Sequence, residues 1–413
     1  MKKLLSILLV AVMLFTATSL VGCGKLKDVN TISLTNAKEY YEVNDSMTVD
    51  FTLTMKDNPS VNVEYKNINL VTGKNAPNGT KITGFDTKTA GVRVGTIEVG
   101  GCKATFEYVV YEKVTKVSNE SGLQTALNNG GAIVIQNDIN LTKTLEAGAP
   151  FTMYGQGYKI TLPTSAEGVT VINFGSRDGV DKVPAHLKDG ATVEIVNTIM
   201  EIQEGKTGSL KGLQFANCKN MTVKLSHTTI KIPTYYAISI YKGCDNMNLT
   251  IKNGSTSAGW CGIQSWSPNV TINIENSTLS GANKYPVGSN NFAAIVINTG
   301  SSHTENLAKF GSADNNTVNI TNCTLIANTT NTAEQHVIDI RNTSSKVNFY
   351  GNNIIKLVKT TVENKTNEYF WSENQNQYYF DTDGTMVYKY SVGGVEKDPT
   401  DSADTISVWS NRT

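Results

Sequence analysis

Residues 249–276 read LTIKNGSTSAGWCGIQSWSPNVTINIEN, and the order of residue types in this stretch decides the fold. Leu249-Thr250-Ile251 opens it and Ile272-Asn273-Ile274 closes it, each apolar-polar-apolar and each followed two residues later by asparagine, Asn253 and Asn276. Alternation with period two marks a strand with one buried face. Between the two lies a third short strand, Ile263-Gln264-Ser265.

Working outward, the opening pattern recurs at Val223-Lys224-Leu225, Val318-Asn319-Ile320 and Val347-Asn348-Phe349, so that successive starts lie 26, 23, 46 and 29 residues apart. The inner strand recurs as Leu213-Gln214-Phe215, Ile238-Ser239-Ile240, Ile295-Val296-Ile297 and Ile338-Asp339-Ile340, leading its partner by 10, 11, 9, 23 and 9 residues. The one long lead marks an insertion of about Thr299 to Asn315, not a missing repeat. Coils of roughly 20–30 residues with strands at fixed offsets are the signature of a solenoid. Short turns and parallel stacking make it a parallel β-helix within an all-β protein, expected over residues 114–364.

Four residues after each start of the opening pattern stand His227, Asn253, Asn276, Asn322 and Gly351. Asparagine tolerates left-handed backbone, and its amide can bond to copies above and below. The run Asn253, Asn276, Asn322 resembles the asparagine ladder of pectate-lyase-like right-handed β-helices, which implies a structural role and no chemistry. Cys218 and Cys244 also match, each five residues before a strand. Coils stack about 4.8 Å apart, so a disulfide and a simple stack of thiols both fit. Gly122-Leu123-Gln124-Thr125-Ala126-Leu127 reads as a short helix before Ala132-Ile133-Val134-Ile135. A helix there would cover the open end of the core, whose strand edges otherwise invite aggregation.

At the N-terminus Lys2 and Lys3 precede an apolar run from Leu4 to Leu20, then Leu20-Val21-Gly22-Cys23. A basic start, an apolar middle and small residues at the cut make a secretory signal over 1–22. The last four residues resemble a lipobox, which implies lipidation of Cys23, a tether over 23–30 and attachment to the outside of the cell membrane through lipid. Several acyl chains hold firmly at about 0.8 kcal/mol per buried CH₂.

Lys and Arg number 36, Asp and Glu 36, and charged residues are only 17% of the 413. No basic face argues for nucleic acid. The five cysteines after Cys23 have no CxxC spacing, and the four histidines are scattered, so no metal or cofactor is called for. Nothing in the chain calls for self-association, and a monomer is expected.

Residues 31–113 read as short strands with turn residues between them. Gly100-Gly101 joins Ile97-Glu98-Val99 to Ala104-Thr105-Phe106-Glu107-Tyr108-Val109-Val110, a hairpin signal. With Tyr41-Glu42-Val43-Asn44-Asp45 and Ile82-Thr83-Gly84-Phe85-Asp86-Thr87, the segment resembles bacterial immunoglobulin-like domains. That resemblance implies a β-sandwich serving as a stalk. In the tail, 365–413, Tyr378 to Val387 reads as a hairpin and, with Trp371, resembles a single choline- or glucan-binding repeat; a cap on the last coil is expected.

For chemistry, alternate side chains of a β-helix strand point outward and form columns. The first column of the Leu213 series is Gln214, Ser239, Gln264, Val296 and Asp339; the next is Ala216, Tyr241, Trp266, Asn298 and Arg341. Aromatic faces suit sugar C–H surfaces, and Gln, Asn, Asp and Arg suit hydroxyls or carboxylates. Tyr241, Trp266, Gln264, Asn298, Asp339 and Arg341 are therefore the candidate glycan-binding residues on the surface; the competing reading is that such columns are ordinary solvated sheet faces. Tyr235, Tyr236, Tyr285 and Trp260 are candidate walls. A polysaccharide lyase or glycosidase is the alternative, with Asp339 and Arg341 as its pair, although clustered acids are missing. A purely structural or protein-binding adhesin is the third reading.

Overall fold

The computed structural model describes residues 28–60, 62–175, 189–281, 293–298, 313–329, 337–340, 342, 344–351 and 353–359, and the backbone of four short strands between 370 and 397. Cys23, the signal segment, Tyr285 and Arg341 lie outside the described residues. The chain divides into two units, Met1–Val114 and Thr115–Thr413.

In the first unit, Val29–Thr35, Thr48–Met55 and Asn62–Asn69 form an antiparallel three-stranded sheet. Tyr41–Glu42, Cys102–Tyr111, Gly91–Val99 and Lys81–Thr83 form a four-stranded mixed sheet, in which only the first pair is parallel. Phe51, Leu53 and Ile68 of one sheet and Tyr41, Ile97 and Val110 of the other share a single core. The Gly100-Gly101 turn forms as expected: Val99 pairs with Cys102, and both glycines have positive φ, 56° and 81°. Two consecutive positive φ values suit the twist of a two-residue hairpin, and glycine reaches them without steric cost. Phe85 stacks on Tyr108 with centroids 5.6 Å apart, and the Tyr108 hydroxyl accepts the Asp86 N–H at 2.7 Å.

The second unit is a stack of parallel coils, consistent with a β-helix solenoid. Three long sheets run through it, of ten, ten and eight strands. Sheet I aligns Val223, Leu249, Ile272, Val318 and Val347 in one row, each on its sequence equivalent. Sheet III does the same for Leu213, Ile238, Ile263, Ile295 and Ile338. Register is set this strictly because a one-residue slip would move every apolar side chain out of the core. Burying such a side chain stabilises by about 1.5–3 kcal/mol. Inside, Phe174 stacks on Phe215 of the next coil with centroids 4.5 Å apart.

Sheet II was not anticipated as a series of its own. Its strands include Thr229–Ile232, Ser255–Ala258, Thr278–Gly281 and Thr324–Thr329, with Ile230, Thr256, Leu279 and Leu325 in one row. The long coil also differs from expectation. Its extra length is split, because residues 282–294 as well as 298–316 separate consecutive strands there.

The turn after sheet I has left-handed backbone at Asn197, His227, Asn253, Asn276, Asn322 and Gly351, with φ between 48° and 65°. Among the described residues the Asn253 and Asn276 amides do not bond to one another, however. Asn253 and Asn276 are exposed, and the Asn276 amide donates to the Glu275 carboxylate. Successive coils are joined here by backbone bonds, such as Asn253 N to Glu275 O at 3.0 Å. The next residue turns inward: Thr198, Thr228 and Ser277 are buried, and each hydroxyl donates to the carbonyl two residues back, at 3.0, 3.1 and 2.7 Å.

The helix Glu120–Asn129 starts at Asn119, whose side chain accepts the Gly122 N–H at 2.8 Å. Leu123, Ala126 and Leu127 enter the coil core. The Gln124 amide bonds Glu146 backbone N and O at 3.0 and 2.7 Å, standing in for a strand on the first edge of sheet III. At the other end parallel stacking continues beyond residue 364. Tyr378–Phe380 lies parallel on Lys346–Tyr350, and Val387–Val392 parallel on Ile354–Lys359. The two are strands of a further coil and not the arms of one hairpin; the antiparallel pair there is Val387–Val392 with Val395–Lys397.

Candidate functional site

Sheet III places the candidate residues. Opposite its core-facing Leu213 and Phe215 row runs a column of Glu146, Asn173, Gln214, Ser239, Gln264, Val296 and Asp339. Its first members are linked by amides: Asn173 donates to the Glu146 carboxylate at 2.9 Å, and Gln214 donates to Asn173 at 3.1 Å. Burial raises the Glu146 carboxyl above the usual range, and the Asn173 bond offsets part of that.

The column is not a solvated face. Gln214, Ser239, Gln264, Val296 and Asp339 are between 0% and 7% exposed. Alternation along a strand gives the direction of a side chain, and it carries no information about what lies over it. Asn298 is buried as well. Among the described residues the accessible members of the patch are Tyr241 and Trp266, both half-buried. They stand on consecutive coils with ring centroids 6.3 Å apart and planes tilted by 50°, within the range of edge-tilted aromatic pairs.

Sequence reasoning missed Lys242. It follows Tyr241, is 1% exposed, and holds its Nζ 5.8 Å from the Trp266 ring centroid. Burial depresses its pKa. Among the described residues its ammonium has no hydrogen-bond partner, nor do Ser239 Oγ, Gln264 Oε1 and Asn298 Nδ2. A buried polar group without a partner costs roughly 1–3 kcal/mol, so four on neighbouring coils, two within strands and two just beyond strand ends, form an unusual concentration. The sequence signal available for Lys242 was a lysine set between the aromatic-column residue Tyr241 and Gly243.

The other aromatics gather at the opposite end of the same two strands. Tyr235 stacks on Trp260 with centroids 3.6 Å apart, and Tyr236 meets Trp260 edge-on at 5.9 Å. They do not join Tyr241 and Trp266. Tyr235 has φ of 62°, an unusual backbone for a bulky side chain.

Among the described residues the acids near the coils are dispersed. Asp245 faces Lys219 at 3.9 Å and Glu275 faces Lys252 at 3.0 Å, while Asp339 has Val296 and Trp371 as its partners in the sheet. Among the described residues no group of three or more His, Cys, Asp or Glu could hold a metal ion. No family model matches the chain, and no curated protein matches its sequence.

Proposed function

We propose that this chain is an exported bacterial lipoprotein, anchored by lipid on Cys23, whose solenoid is a non-catalytic glycan-binding module at the cell surface. In this reading residues 31–113 are an immunoglobulin-like stalk and the coils form a right-handed β-helix of the pectate-lyase-like type. The basic start, apolar run and Leu20-Val21-Gly22-Cys23 support the anchor. The two sheets around one core support the stalk. Right-handedness follows the general rule for parallel crossover connections.

One observation carries the ligand class. Tyr241 and Trp266 are half-buried on consecutive coils, with ring centroids 6.3 Å apart. A sugar matches this pair, because its C–H faces pack against aromatic rings. Dispersed acids favour binding over hydrolysis, which needs carboxylates set across one bond. Fold likeness to lyases transfers no activity.

The test is a glycan array with protein from Gly24 onward, run with and without calcium, beside Tyr241→Ala with Trp266→Ala. Binding that the double substitution abolishes, at unchanged melting temperature, is expected. Release of unsaturated sugar ends would replace this reading with a lyase. Silence of the folded protein on every glycan would replace it with a protein-binding adhesin.

A further inference from the structure

We propose that Cys218 and Cys244 close into a disulfide that staples two consecutive coils. Both are buried in the solenoid core, and both are free thiols in the structure. Among the described cysteines only these two occupy equivalent positions on adjacent coils. Cys261 has Tyr236 as its neighbour in the sheet, and Cys102 pairs with Val99 in the other unit.

The flanking backbone fixes their register. Asn217 N–H donates to Lys242 O at 2.9 Å, and Asn220 N–H donates to Asp245 O at 2.8 Å. In a parallel ladder an N–H bonds the carbonyl that precedes its neighbour. Residues 217 and 220 therefore stand beside 243 and 246, and 218 stands beside 244. Asn217 and Gly243 share left-handed backbone, φ 55° and 77°, so the two turns also have one shape. Stacked coils lie about 4.8 Å apart, and disulfides need Cα atoms roughly 4.4–6.8 Å apart. Because the pair sits in a turn, its Cβ directions are not locked to a strand normal.

The thiols already sense one another: burial first, and the Cys218 thiol second, push the Cys244 thiol up. Cys218 also donates its S–H to the Phe174 and Ala216 carbonyls. Those bonds would be given up, at small cost for so weak a donor.

The reaction is thiol–disulfide exchange with an external disulfide, RSSR. One thiolate attacks it, releasing RSH and leaving a mixed disulfide; the second thiolate displaces the remaining RS group. In sum two protein thiols and RSSR become one protein disulfide and two RSH, so the protein is oxidised and RSSR reduced. Complete burial of both sulfurs puts this step before the coils close. Oxidising compartments support it, which agrees with export but does not depend on it for the test.

Reduced, unfolded protein from Gly24 onward is refolded in a buffer of reduced and oxidised glutathione, alkylated, and mapped by peptide mass. Protein exported behind a cleavable signal is mapped alongside, so that a poor refolding yield does not decide the outcome. The expected result is one linked pair, Cys218 with Cys244, and alkylated Cys102, Cys261 and Cys323. Adding reductant should lower the melting temperature of this protein by about 5 °C and leave Cys218→Ala with Cys244→Ala unmoved. Five alkylated thiols in the folded protein, or a link between any other pair, would overturn the proposal.

Discussion

The Asn319 amide donates to Asn273 Oδ1 at 2.8 Å, and the Asn348 amide donates in turn to Asn319 Oδ1 at 2.7 Å. These three residues occupy one row of sheet I. The side-chain amide ladder of this solenoid thus runs along the strands, at the polar middle of the Ile272-Asn273-Ile274 pattern, and not along the turn where Asn253 and Asn276 stand. Asn319 is bonded to a member of this row on each side, while Asn273 also donates to Asn248 Oδ1 at 3.2 Å. Replacing Asn319 with alanine should destabilise the protein by about 1–2 kcal/mol, the net worth of two amide bonds. Urea unfolding would measure this, and an unchanged midpoint would show that the ladder holds nothing together.

His227 occupies the left-handed turn position that asparagine fills at 197, 253, 276 and 322. Burial lowers its pKa, so the folded state resists the proton that the unfolded chain accepts. Stability that is present above the ordinary histidine pKa of about 6.5 is therefore lost as pH falls below it. His227→Asn should remove that acid-side loss and add about 0.5 kcal/mol at neutral pH, since asparagine suits the backbone better. Melting curves of both proteins from pH 5 to 8 would decide; parallel curves would refute the assignment.

Lys242 is a buried base with a depressed pKa. Below that depressed value the folded protein carries the full cost of a buried charge. The cost fades as pH rises through it toward the ordinary lysine value of about 10.4. Lys242→Met should raise stability at neutral pH by about 1 kcal/mol or more, with the gain shrinking in alkali. Trp266 supplies some compensation through its ring face, so a loss of stability on substitution would mean that this contact outweighs burial.

Gly155 lies against the next coil. A β-carbon there would come within 2.6 Å of Asn197 O and the Thr198 backbone. Neither is the flexible end of a side chain, so the coils would have to separate. Gly155→Ala should cost about 1–3 kcal/mol, read as a fall in melting temperature; an unchanged melting temperature would show that the coils absorb the added methyl group.

Much of the fold was legible because it depends on local alternation. Ile251 and Ile274 had to face the same way, and the row Leu249, Ile272, Val318 follows from that alone. Sheet II was illegible because Ser255-Thr256-Ser257 holds a hydroxyl where its neighbours hold isoleucine and leucine, breaking the apolar signal in mid-series. The candidate site was legible in part. Tyr241 and Trp266 come together as their spacing required, whereas Lys242 carried no periodic signal.

By itself the sequence determined which residues share a column and which face of each strand points inward. Those depend only on the period of a strand and on the gain from burying isoleucine, leucine and valine. Tertiary structure decided whether an outward column meets water. Gln264, Asn298 and Asp339 point away from the core and are nonetheless buried, because exposure depends on chain segments distant in sequence that alternation does not encode. It likewise decided that Cys218 and Cys244 stand side by side, since only the hydrogen bonds on either side of them fix the register between coils.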